Sequence, residues 1–109
     1  MAKHEFGIMD MPLEKGRRYD EYEPEKYEYI SVCDDYLEDI LCEFNKIDFY
    51  WHTTDEKCRG ICYSGITLIP HESLSAFINV IKDKNGLSEL FELAKKAKKE
   101  TKWLIHFGL

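Results

Sequence analysis

Residues 65–108 read GITLIPHESLSAFINVIKDKNGLSELFELAKKAKKETKWLIHFG, and the changes of apolar spacing along this stretch decide the fold class. The run from Ile61 to Ile69 ends in Ile66, Thr67, Leu68 and Ile69, whose branched side chains suit a pleated surface, and it predicts a strand. Pro70 closes that strand, and Glu72 favours the positive end of a helix dipole just beyond it. Leu74, Phe77, Ile78 and Ile81 then recur at intervals of three and four, the spacing of one buried helical stripe. Lys84-Asn85-Gly86 is a helix stop, because Asn and Gly tolerate a left-handed backbone. A further helix starts with Ser88 as cap and carries Leu90, Phe91, Leu93, Ala94 and Ala97 inward. Lys95, Lys96, Lys98, Lys99 and Lys102 complement the negative end of its dipole. Trp103–Phe107 is apolar enough to predict a central strand.

Upstream, Lys26–Val32 alternates Tyr27 and Tyr29 against Ile30 and Val32 and predicts another strand. Asp34 or Asp35 caps a short helix marked by Tyr36, Leu37, Ile40, Leu41 and Phe44. Ile47–Thr53 is strand-like, and residues 54–60 connect it to Ile61–Ile69 as a hairpin, with Gly65 marking a bulge or a close backbone approach. Residues 1–26, punctuated by Gly7, Pro12, Gly16 and Pro24, read as an irregular, partly ordered N-terminal arm. The resulting order, β-α-β-β-α-α-β, predicts an α+β fold: a small, mostly antiparallel sheet of about four strands with two to three helices on one face. A chain of 109 residues supports one such core, so residues 1–109 are expected to form a single domain.

Net charge is −6, but its distribution is uneven. Residues 1–56 hold 16 acidic and 6 basic side chains, a net of −10, whereas residues 57–109 hold 5 acidic and 9 basic, a net of +4. An acidic half disfavours nucleic acid, whose binding rewards neutralisation of phosphates, and suits a basic protein surface. No apolar run approaches the roughly 20 residues that span a bilayer, and Met1-Ala2-Lys3-His4-Glu5 lacks the apolar core of a signal peptide. The expected address is the cytoplasm, with no membrane partner, and there Cys33, Cys42, Cys58 and Cys62 remain thiols.

Several residue groups offer chemistry. His52, Cys58 and Cys62 are zinc-type ligands, with His71 or His106 as a fourth, but His-x5-Cys-x3-Cys is not a standard zinc spacing and Cys-x2-Cys is absent. The sequence thus specifies no metal and no cofactor. Cys58 or Cys62 as a nucleophile, activated by His52 or His71 and by Arg59, lacks any nucleophile signature. Asp34-Asp35 and Glu38-Asp39 are paired carboxylates, which on a short amphipathic helix more often form a solvated face or a cap than an acid–base pair. Neither glycine-rich nucleotide loop occurs. His106 lies on the opposite parity from Ile105 and Phe107, which predicts that it faces a polar site while they enter the core. His52, His71 and His106 therefore define an alternative pocket for a small enzyme or a metal-dependent ligand binder.

The arm supplies a binding face instead of a reaction centre. Tyr19, Asp20, Glu21, Tyr22, Glu23, Glu25 and Tyr27 combine carboxylates with tyrosines, which add contact area at little entropic cost. RYDEYEP, DFYWHT, GITLIPHESL and WLIHFG together resemble a family of short, uncharacterised bacterial proteins, a resemblance that spans most of the chain. It implies a bacterial, cytoplasmic protein and carries no residue role. Small size, acidity and the lack of a catalytic motif are similar in general character to immunity proteins that cover a toxin's basic active site. The expectation is an acidic protein-binding domain, an immunity-type inhibitor or adaptor, with homodimerisation through open strand edges compatible with it.

Overall fold

Lys3–Ile8, six residues inside the arm, form a strand in the interior of the sheet. A computed structural model describes residues 3–9, 19, 21–51, 57–61 and 65–108. The elements run β1 (Lys3–Ile8), β2 (Glu28–Cys33), α1 (Asp34–Glu38), β3 (Asp48–Trp51), β4 (Lys57–Arg59), β5 (Ile66–Ile69), α2 (Leu74–Ile81), α3 (Ser88–Lys99) and β6 (Leu104–Phe107). The strands lie in the order β2-β1-β6-β5-β3-β4, and every neighbouring pair is antiparallel. The α+β class and the antiparallel sheet agree with the sequence reading, but the described residues build six strands where about four were expected.

The two additional strands have different physical origins. β1 is low in β-branched residues, yet it is buried from His4 to Ile8 because β2 and β6 pair with both of its edges. β4, Lys-Cys-Arg, lies at the outer edge against β3, where no apolar face is required. It falls in what the sequence presents as a plain connection. The expected pairing of the flanking strands still occurs, with Tyr50 opposite Leu68. The Gly65 carbonyl accepts a 2.7 Å hydrogen bond from the Gly108 amide, beyond the ends of β5 and β6.

All the helices lie on one face. Leu74, Phe77 and Ile81 of α2 and Leu90, Leu93, Ala94 and Ala97 of α3 pack with Phe6, Ile8, Val32, Phe49, Ile69 and Leu104 of the sheet. Phe77 is the hub: its ring meets Phe44 at 5.2 Å, Phe6 at 6.0 Å and Phe49 at 6.4 Å. The opposite face is not bare. Met9, Tyr19, Ile66, Leu68, Ile105 and Phe107 form a second buried layer, flanked by Tyr27, Tyr50 and Trp103. Ile105 and Phe107 thus enter this thinner layer, and Leu104 and His106 face the helices.

The first helix is shorter than its apolar spacing predicts. α1 stops at Glu38, and a 3-10 segment, Leu41–Lys46, carries Phe44 into the core. α2 ends at Ile81, with Asp83 and Gly86 as the left-handed residues of the following turn. α3 ends in a Schellman turn: the Lys102 amide donates to the Ala97 carbonyl and the Thr101 amide to the Lys98 carbonyl, with Thr101 left-handed. Gly86 has a φ of +76°, and a Cβ there would clash with the face of the Tyr36 ring, which closes over this turn. Gly86→Ala is therefore expected to cost about 2 kcal/mol, combining backbone strain with displacement of Tyr36. Urea titration measures this, and a loss below about 0.5 kcal/mol would mean that the ring is not seated on the turn.

Candidate functional site

Alternation along β1 and β2 sends Glu5, Gly7, Tyr29 and Ser31 to the face away from the helices, with Gly7 opposite Tyr29 and Glu5 opposite Ser31. Gly7 leaves room for the Tyr27 side chain, since a Cβ there would approach the Tyr27 Cβ to 2.7 Å. Tyr27 and Tyr22 both reach Phe107, at ring separations of 6.1 Å and 5.6 Å, and Tyr22 meets it edge-on. The arm thus roofs the second layer. Tyr19 is buried in it and Tyr27 is half-buried, so neither presents a full ring to a partner.

Tyr22 differs, being 64% exposed although one side rests on Phe107. A hydrogen bond to Glu5 raises its hydroxyl above the ordinary phenol range, helped by partial burial and by the nearby charges of Glu5, Tyr29 and Glu25. The phenol is consequently held as a donor among carboxylates. Glu21 and Glu25 are exposed nearby in sequence, and Tyr29 is 44% exposed on the same face of β2. Glu23 is half-buried and ion-paired with Lys26. Asp20 lies outside the described residues. Glu28, on the other parity, reaches to the helical side, where both its oxygens accept from the Lys96 ammonium at 2.7 and 2.8 Å.

The histidines arrange differently from the pocket predicted by sequence. His106 is fully buried on the helical face, and its partner is His4, 102 residues away. In neutral rings the hydrogen bonds run in one direction. His106 Nε2–H donates to His4 Nδ1 at 2.8 Å, and His4 Nε2–H donates to Asp34 Oδ1 at 2.8 Å, a polarity assigned from the carboxylate, which only accepts. His106 Nδ1 is left as a buried lone pair without a partner. Burial, and secondarily the adjacent His4 ring, holds His106 well below the ordinary imidazole range. His106 therefore stays neutral and has no solvent-facing surface.

His71 occupies the turn before α2, and its Nε2–H donates to the Lys98 carbonyl at 3.1 Å, tying that turn to the end of α3. It makes no contact with His106. His52 and Cys62 lie outside the described residues, so only Cys58 of the candidate zinc trio can be placed. Its thiol sits 4.0 Å from the Gly60 carbonyl. Among the described residues no three His, Cys, Asp or Glu side chains form a metal-holding group, and Cys33, Cys42 and Cys58 are thiols rather than disulfides. No helix among the described residues is long and apolar enough to cross a membrane.

The His4–His106 pair had one legible signal, the parity of His106 in its strand. Nothing local announces His4, which becomes a buried partner only once β1 lies between β2 and β6. Comparison with known proteins finds no family model, no curated protein and no solved structure that matches this chain.

Proposed function

We propose that this chain is a non-catalytic, cytoplasmic binding domain whose acidic, tyrosine-bearing face takes a basic protein, as an immunity-type inhibitor or an adaptor. The observation that carries this reading is Tyr22, a large ring left exposed and held by Glu5, with the charges of Glu25 and Tyr29 close enough to act on its hydroxyl and exposed Glu21 next to it in the chain. Rings fixed on their inner side lose little entropy on binding, and surrounding carboxylates steer a cationic partner. Of the seven residues, Tyr22, Glu21 and Glu25 supply the contacts, and Tyr19 and Tyr27 hold the arm to the sheet.

The test is affinity capture with the tagged protein at low salt, followed by mass spectrometry and binding kinetics on whatever is retained. A stoichiometric basic protein is expected, and Glu21→Gln with Glu25→Gln should slow its association about tenfold at low salt. Adding Tyr22→Ala should raise its dissociation rate, since that side chain is the anchor. Retention of the same partner, unchanged in rate by all three substitutions, would sink the proposal.

A further inference from the structure

We infer that the groove between α2 and α3 is a second binding site, shaped for an acidic amphipathic helix of a partner protein. Beyond the stripe that the sheet consumes, α2 carries Ile78 and Val80 and α3 carries Phe91, and of these Ile78 and Phe91 line the groove. In α2, Leu74, Phe77 and Ile81 are buried and Ile78 is left half-buried. In α3, Leu90, Leu93, Ala94 and Ala97 are buried and Phe91 is left half-buried. Both residues open into one groove of about 910 Å3, whose rim includes Lys82, Lys95, Lys98 and Lys99.

Charge identifies the occupant. Lys96 is engaged by Glu28, and Lys95 lies 5.0 Å above the Phe91 ring and 4.0 Å from Glu92. Among the described residues Lys82, Lys98 and Lys99 make no ion pair, so the rim keeps uncompensated positive charge above an apolar floor. At 1.5 Å per residue α2 and α3 extend roughly 12 and 18 Å, matching two to three turns of a third helix laid beside them. Such a helix would seat apolar residues spaced i and i+4 on Ile78 and Phe91, with flanking Asp or Glu meeting the lysines. A bilayer surface fits less well, because both floor residues are recessed between helices and a flat membrane does not reach them. Nucleic acid lacks an exposed ring on which to stack, Phe91 being covered by Lys95.

The test uses the intact protein and a fluorescein-labelled, helix-forming 14-residue peptide with leucines on one stripe and glutamates beside it. Anisotropy should show saturable binding, weakened at least about tenfold by Lys82→Gln with Lys98→Gln and Lys99→Gln, and weakened independently by Phe91→Ala. Thermal melts of each variant check that these exposed and half-exposed substitutions leave the fold intact. Equal binding of a scrambled peptide of the same charge would overturn the inference, because the apolar stripe would then be irrelevant. Failure of the amphipathic peptide to bind would also overturn it, as would tighter retention on phosphatidylglycerol vesicles than on the peptide. Glu21→Gln and Glu25→Gln should leave peptide binding unchanged, which separates this site from the acidic face.

Discussion

Phe77→Ala is expected to lower the folding free energy by about 3–5 kcal/mol, a large part of the 5–15 kcal/mol typical of a domain of this size. Phe77 is fully buried, and its ring is the only one that meets Phe6, Phe44 and Phe49 together among the described residues. Those three come from β1, the 3-10 segment before β3, and β3 itself. Truncation removes the transfer energy of a phenyl ring and opens a cavity that three separate elements would have to collapse to fill. It also forfeits ring pairings worth roughly 0.5–1.5 kcal/mol each beyond buried area. Phe77→Leu keeps most of the volume and should cost under about 2 kcal/mol. Urea midpoints at unchanged slope give both values, and a loss under about 1 kcal/mol for the alanine variant would refute the hub role.

Acid provides the second large effect. His106 is neutral and held well below 6.5 in the fold, whereas the same side chain in the unfolded ensemble takes up a proton near 6.5. The unfolded state then binds more protons, so stability is fully present above about pH 6.5 and declines as pH falls toward the folded value, by about 1.4 kcal/mol per pH unit for this one group. His106→Gln tests the assignment, because a glutamine amide can still donate to His4 Nδ1 but does not titrate. Its stability between pH 7 and 5 should fall less steeply than that of the parent protein, the difference approaching one proton. Parallel pH profiles would show that His106 is not the group responsible.

The helices at 74–81 and 88–99 were legible because each is amphipathic on its own, and the spacing of Leu74, Phe77 and Ile81 or of Leu90, Leu93 and Ala97 states which side is buried. The strand over Leu104–Phe107 was legible for a similar reason, three apolar or aromatic residues with one histidine among them, preceded by Trp103. Lys-His-Glu-Phe-Gly-Ile was not, since it mixes a cation, an anion and a glycine. Its strand character comes from pairing partners 20 or more residues away. Seen singly, the lysines of α3 complement a helix end, and only the placement of Lys82 and Ile78 across from them turns that cluster into the rim of a groove. The acidic arm was legible as composition. Which of its tyrosines faces outward depended on Phe107 and Gly7, both supplied from elsewhere in the sheet.

The position of β1 has a consequence for how the protein is made. Glu5 pairs with Phe107 and Ile8 with Leu104, so β1 receives its second neighbour about a hundred residues after it is made. Contacts of such long sequence separation slow folding, because loop closure comes before the gain from pairing. During synthesis Phe6 and Ile8 remain without the β6 side of their sheet until Leu104–Phe107 have cleared the exit tunnel. Productive closure of the sheet is therefore a late event, and the interval before it is when these strands are most open to chaperones and to aggregation.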